Sequence, residues 1–337
     1  MAYYSNLLPQ DIIILPNRAI ATNKFSFGSV TFPGNVKDAI IVKHPYHMIC
    51  TPGVIASTRS LEEHIEFINR HKIEKAHIIA PNIEFITACP SLKYLLISPA
   101  GIDEDNFDYS PLYDMPQIKS LGCPTTYGLF IDKFRTTIDL GKIRGLESVH
   151  IYDKGQLNYK EIKTLKSLGF GSYDGEDLVG AFSSTIIDTL TLIECKIRTL
   201  EGIQLSPKMQ CVYLYYNRRL KDISALSKCK KTLRALRIEC CSKIEDFSVL
   251  GELENLELLQ LTGSNELPNL DFLKNMKNLK TFIFNVNVKD GDLSPCLWLS
   301  YVHSSRIRRH YNLKNADLPH NKYYRGNDSI EEWRRTE

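Results

Sequence analysis

Apolar residues recur along the middle of the chain in one grouping, repeated many times. From Leu233 the sequence reads LRALRI, from Leu256 LELLQL and from Leu279 LKTFIF; Met209 opens MQCVYL. Comparable groups start at Ile73, Leu92, Ile118, Leu146, Leu165 and Ile187. Successive starts lie 19, 26, 28, 19, 22, 22, 24, 23 and 23 residues apart. Each group predicts a short strand whose first, fourth and sixth residues point inward. No such strand can bury its apolar face alone, so the units must stack into a continuous core.

The pattern continues beyond the strand. Apolar residues return at Leu220, Ile223 and Leu226, at Ile244, Phe247 and Leu250, and at Leu267, Leu270 and Leu273. A polar column stands thirteen residues after each start, at Asp222, Asp246, Asn269 and Asp292, followed two residues later by Ser224, Ser248, Asp271 and Ser294. Short oxygen-bearing side chains there accept backbone N–H groups and start a short helix or turn.

These columns resemble the leucine-rich-repeat superfamily, in particular its short L-x-x-L-x-L…L-x-D-I-S-x-L type found in internalins and phosphatase-regulator proteins. The resemblance covers about two thirds of the chain. It implies an α/β leucine-rich-repeat solenoid, with a curved parallel sheet on the concave face and short helices or turns on the convex face. The family places Asn or Cys in an internal ladder after each strand. Here those positions hold Cys195, Asn217, Cys241, Ser264 and Asn287, and earlier Pro81, Ala100, Thr126, Lys154 and Tyr173. The ladder is therefore expected to weaken toward the N-terminus.

The ends read differently. Residues 1–58 predict a β-rich N-terminal cap with strands at Ile12–Leu15, Lys24–Phe32 and Ala39–Val42. A capping helix follows over 60–71, where Ser60 and Glu63 form a capping box and Leu61, Ile65 and Ile68 share one face. The solenoid then occupies 59–299. Residues 300–337 read as a C-terminal cap whose Tyr301, Tyr311, Tyr323, Tyr324 and Trp333 cover the last unit.

Composition narrows the function. The 337 residues are 43% hydrophobic and 24% charged, with a net charge of +3. That excludes wholesale disorder and gives no reason to expect nucleic acid or a membrane surface as partner. No apolar run reaches the roughly 18 residues of a membrane helix. The first basic residue is Arg18 and Asp11 breaks the N-terminal apolar stretch, so no secretory leader is expected. Nine cysteines, with Cys240 and Cys241 adjacent and no C-x-x-C, fit free thiols in a cytoplasmic protein. Cys195 and Cys241, as ladder residues, read as structural.

Local chemistry is sparse. His44, His47 and Cys50 form the one cluster with ligand-like spacing, weighed mainly as structural and otherwise as a metal or enzyme site in the N-terminal cap. Gly169, Gly171 and Gly175 are read as following a strand in a wide loop, because their spacing is not that of a dinucleotide site. Arg306, Arg308, Arg309 and His310 read as a solvated cap. No catalytic residue, metal or cofactor is expected.

The concave strand face is the better candidate, because Tyr and Arg are enriched at binding hot spots. Its outward residues are His150 and Tyr152, Thr191, Tyr213 and Tyr215, Arg234 and Arg237, Glu257 and Gln260, and Lys280. Together they predict a non-catalytic protein-binding module recognising a protein partner, with an inhibitor or immunity-type regulator as its sharper form. The alternatives are an enzyme or metal site in the N-terminal cap, or an exported host-directed effector.

Overall fold

The structure, a computed structural model, describes residues 12–16, 38–43, 55–56, 61–80, 82–99, 107–122, 137–151, 156–182 and 187–321. The chain divides into two units, Met1–Leu165 and Lys166–Glu337.

In the first unit, β1 (Ile12–Pro16) lies antiparallel between β2 (Asp38–Lys43) and β3 (Ile55–Ala56). Helix α1 (Leu61–His71) buries Ile68 and carries an exposed Glu66–Arg70 ion pair one turn apart. β2 runs parallel to β4 (Lys75–Ala80), so the N-terminal strands share a sheet with the first repeat. β5 (Tyr94–Pro99) and β6 (Ser120–Gly122) extend that parallel order. β7 (Ile138–Asp139) precedes β8 (Ser148–Ile151), which pairs with β6, and β9 (Gln156–Leu157) pairs with β7. The predicted strand Lys24–Phe32, Ser60 of the capping box, and His44, His47 and Cys50 lie outside the described residues.

The second unit contains β10 (Ser167–Gly171), β11 (Thr189–Ile193), β12 (Cys211–Tyr215), β13 (Ala235–Glu239), β14 (Leu258–Thr262), β15 (Glu266–Leu267), β16 (Thr281–Phe284), β17 (Asn287–Val288) and β18 (Tyr301–Ser304). All but β15 and β17 form one parallel array, in chain order and unbroken register. β15 and β17 pair with each other.

The uneven spacing of the repeat has a hydrogen-bond cause. In the repeats from Leu165 onward the carbonyl at the second position accepts two successive N–H groups from the next repeat. Gln210 O takes Arg234 N at 2.7 Å and Ala235 N at 3.0 Å, and Arg234 O takes Glu257 N and Leu258 N at 2.8 and 3.1 Å. This doubled contact places two residues, not one, between the first and fourth core positions, as in a β-bulge. Strict alternation resumes between the fourth and sixth. All ten predicted starts are buried, as are Leu236, Leu259, Leu261 and the later apolar columns Leu220–Ile223–Leu226, Ile244–Phe247–Leu250 and Leu267–Leu270–Leu273.

The polar column starts the turns as expected. Asp222, Asp246, Asn269 and Asp292 accept the N–H groups of Ser224, Ser248, Asp271 and Ser294 at 2.8, 2.8, 3.0 and 2.9 Å. Each turn then runs as a short 3₁₀ helix, at Ser224–Cys229, Ser248–Glu252, Asp271–Asn275 and Ser294–Cys296. The tighter 3₁₀ form suits a return of three to six residues.

After the strand, each chain crosses a left-handed residue: Ser172 (φ 63°), Glu194 (52°), Tyr216 (56°) and Cys240 (53°), then Gly263 at 136°. That reversal turns the ninth side chain inward in the units from Ile187, Met209 and Leu233. Asn217 is fully buried, accepting from Cys195 N and donating to Leu192 O, both at 2.9 Å. Cys195 donates its thiol to Phe170 O at 3.5 Å and Cys241 to Leu214 O at 3.8 Å. In the next unit the expected ladder residue, Ser264, is exposed, because the wider φ of Gly263 sends Asn265 inward instead. Asn265 donates to Cys241 O and Ile244 O at 3.1 and 3.0 Å. Asn287 sits in β17 and donates to Glu266, outside the ladder. Tyr173 is half-buried with its ring on Phe170, so it is no ladder residue either. Pro81, Ala100, Thr126 and Lys154 are outside the described residues.

Tyr301, expected to lie over the last unit, instead occupies a further parallel strand, with its Cα opposite Thr281. Tyr311 does cover that unit: its hydroxyl accepts from Val288 N and donates to Val286 O, both at 3.1 Å.

Candidate functional site

The strand face opposite the 3₁₀ turns presents the third, fifth and seventh residues of each unit. In the second unit the third-position residues Cys211, Ala235 and Leu258 are buried and touch one another, with the half-buried Tyr213 packed on them. They form an apolar floor. The strict register sets Thr191, Tyr213, Arg237, Gln260, Ile283 and His303 side by side in the fifth row. Neighbouring strands lie about 4.8 Å apart, so the row is a continuous ridge. The Arg237 guanidinium stands over the Tyr213 ring, 5.3 Å from its centroid. A cation at that distance is attracted by the face of the ring, which holds both side chains in place.

The seventh row places Tyr215, Glu239 and Thr262 next to one another. Tyr216, in its left-handed conformation, donates its hydroxyl to Glu239 Oε1 at 3.0 Å. Burial and the Glu239 carboxylate push the Tyr216 phenol up to about 12, so it stays a neutral donor. At the strand starts, Glu257 bridges two cations, with Arg234 Nη1 and Lys280 Nζ each 3.5 Å from its carboxylate oxygens. The Glu257 side chain is only 14% exposed, and this chain of charges ties three strands together.

Four of the residues predicted from sequence, Tyr213, Tyr215, Arg237 and Gln260, are thus gathered on one face, and Arg234, Glu257 and Lys280 are linked to one another at the strand starts. Thr191 belongs to the row but is only 7% exposed, so it offers little contact surface. His150 is 5% exposed, on β8 in the first unit. Burial drives its imidazole down to about 3, so it is a neutral core group and no contact residue. Tyr152 lies outside the described residues. The structure adds Tyr216, Glu239 and Thr262. Extending the strand alternation by one position finds Glu239 and Thr262; nothing in the pattern marks Tyr216, whose place depends on its backbone angle.

The remaining candidates do not build a site. Gly169 and Gly171 lie within β10 rather than after it. The loop holding Gly175 carries Asp174 and Glu176, paired with Lys196 at 2.7 Å and Arg198 at 3.3 Å, and this acidic loop does not suit phosphate. Among the described residues, no group of three or more His, Cys, Asp or Glu is placed to hold a metal ion. No helix of the described residues is long and apolar enough to cross a membrane.

No protein family matches the chain, and no curated protein does. Among solved structures, the internalin InlF from Listeria monocytogenes str. 4b F2365 is 16% identical, with 72% of each chain covered and a TM-score of 0.46. The functional domain of InlJ from Listeria monocytogenes, which includes a cysteine ladder, is 14% identical over 65% of this chain and 46% of that one, with a TM-score of 0.42. A leucine-rich-repeat protein of Leptospira interrogans is 12% identical over 71% and 74%, with a TM-score of 0.36. These low values carry no residue roles. The repeat written along the sequence folds into parallel strand-and-turn units, which is the architecture of a leucine-rich-repeat solenoid.

Proposed function

We propose that the chain is a non-catalytic binding module that recognises a protein partner through the open strand face of its second unit. The observation behind this reading is the in-register ridge of Tyr213, Arg237 and Gln260 on the Cys211–Ala235–Leu258 floor. Half-buried aromatic and guanidinium groups held by their neighbours lose little rotamer freedom on binding, which favours a rigid contact surface. Its sharper form is an inhibitor or immunity-type regulator acting on a single partner. The thiol hydrogen bonds of Cys195 and Cys241 require reduced sulfur, which supports a cytoplasmic setting.

The test compares proteins captured by the wild type with those captured by Tyr213→Ala, Arg237→Ala and Lys221→Ala. Lys221 is exposed in the loop that leads to the turns. A partner recognised by this face binds the wild type and Lys221→Ala alike. Either concave variant weakens it by about thirtyfold, the equivalent of a hot-spot loss of about 2 kcal/mol. Captured proteins whose affinities are the same for all three variants defeat the proposal. Metal analysis of the purified protein separately tests the alternative at His44, His47 and Cys50, since a bound metal there favours a metal or enzyme site.

A further inference from the structure

Beside the ridge, the strand ends of the open face carry an acidic notch. After β11, β12 and β13 the chain crosses the left-handed residues Glu194, Tyr216 and Cys240 in successive repeats. Backbone bonds keep them in step: Glu194 N donates to Tyr215 O and Tyr216 N to Glu239 O, both at 2.9 Å. Tyr216 therefore stands one strand from Glu194 on one side and one strand from Glu239 on the other, spacings of about 4.8 Å. Burial, the hydrogen bond to Glu239 and the nearby charges of Glu239 and Glu194 together push its phenol up to about 12.

Neither carboxylate is neutralised. Among the described residues, no cation lies within ion-pair distance of Glu194 or Glu239. Other acids of this unit are paired: Asp174 with Lys196, Glu176 with Arg198, and Glu257 with Arg234 and Lys280. Arg237, two residues before Glu239, stands over the Tyr213 ring. Glu239 is half-buried, and charges so placed are screened less by salt than exposed ones. We propose that the notch seats an arginine side chain of the protein partner, its guanidinium between Glu194 and Glu239 and against the Tyr216 ring. This rests on the reading of the open face as a protein-binding surface. A guanidinium carries five N–H donors in a planar fork that can meet two carboxylates at once, and it stacks on aromatic faces. A lysine ammonium is a compact point charge without that fork.

Ile193 and Thr262 flank the notch in the seventh row, beside Tyr215 and Glu239. The full-length chain, isotope-labelled at its isoleucine and threonine methyls, is titrated with acetyl-Gly-Arg-Gly-amide. The same peptide with lysine, or with the neutral arginine isostere citrulline, serves as control. The arginine peptide is expected to shift the Ile193 and Thr262 methyl signals saturably. The lysine peptide binds severalfold more weakly, and the citrulline peptide leaves the signals in place. Glu239→Gln, which keeps an acceptor for Tyr216, and the exposed Glu194→Gln each weaken the arginine peptide by about tenfold. Signals that never move, equal shifts with citrulline or lysine, or unchanged affinity in either glutamine variant overturn the proposal. The wider reading is judged separately, by Tyr213→Ala and Arg237→Ala against a captured partner. A partner lost with those variants while the arginine peptide fails to bind leaves the face standing and removes the notch alone.

Discussion

At the scale of single residues, position in the strand decides what a side chain does. Leu236 and Leu259 are fully buried, whereas Arg237 and Gln260, one residue further on, stand half-exposed on the open face. Leu236→Ala or Leu259→Ala is expected to cost about 2–5 kcal/mol, from lost burial and the cavity left behind. Arg237→Ala or Gln260→Ala costs far less. Urea melts of the four variants check this, and equal losses would mean the register is wrong. His150 makes a different prediction. Its imidazole is held down to about 3 against an ordinary 6.5, by burial. Between those values the unfolded chain binds the proton and the folded chain does not, so stability rises with pH across that window. The contribution is complete above about pH 6.5 and declines by about 1.4 kcal/mol per pH unit below it. Melts of wild type and His150→Gln at pH 7, 6 and 5 isolate this slope. Parallel pH profiles for the two proteins would refute it.

At the scale of the repeat element, the strand, the ladder and the turn are stabilised by different bonds. Asn217 satisfies Cys195 N and Leu192 O from a fully buried position. Asn217→Ala leaves both without that partner in the interior, at about 1–3 kcal/mol for each orphaned group. Asn269 only starts a turn, accepting Asp271 N at 3.0 Å. Its replacement by Ala is expected to cost about 1 kcal/mol, with Asn269→Asp retaining most of the stability. Thermal melts should therefore rank Asn217→Ala well below Asn269→Ala; the reverse order would place the structural weight on the turns. The spacing of the turn-starting oxygens was readable in the sequence because each acts on a backbone group two residues away. The ladder was readable only where the left-handed residue before it keeps a uniform angle. At Gly263 the angle widens, and the inward residue moves from Ser264 to Asn265.

At the scale of the whole molecule, the repeats build a core that holds thiols in interior roles. Burial pushes the Cys195 thiol up to about 12 and Cys241 up to about 11, which suppresses the thiolate. Alkylation followed by intact-mass measurement should modify these two only after unfolding. Labelling of either in the native protein, or a disulfide at either, would contradict the assignment and the reducing compartment with it. The sequence by itself determined the repeat, its core columns, the turn oxygens and the fifth row of the open face, because each follows from a fixed period along the chain. Packing between units decided the rest. Thr191 and His150 have the outward spacing of contact residues, yet both are buried. Gly169 and Gly171 look like a loop and form a strand, because the register with β11 supplies their hydrogen-bond partners. Tyr301 looks like a cap and becomes a further strand for the same reason, through β16. Spacing along the chain sets which side of a strand a residue takes, but its exposure depends on what the fold packs around it, and only the folded neighbours supply that.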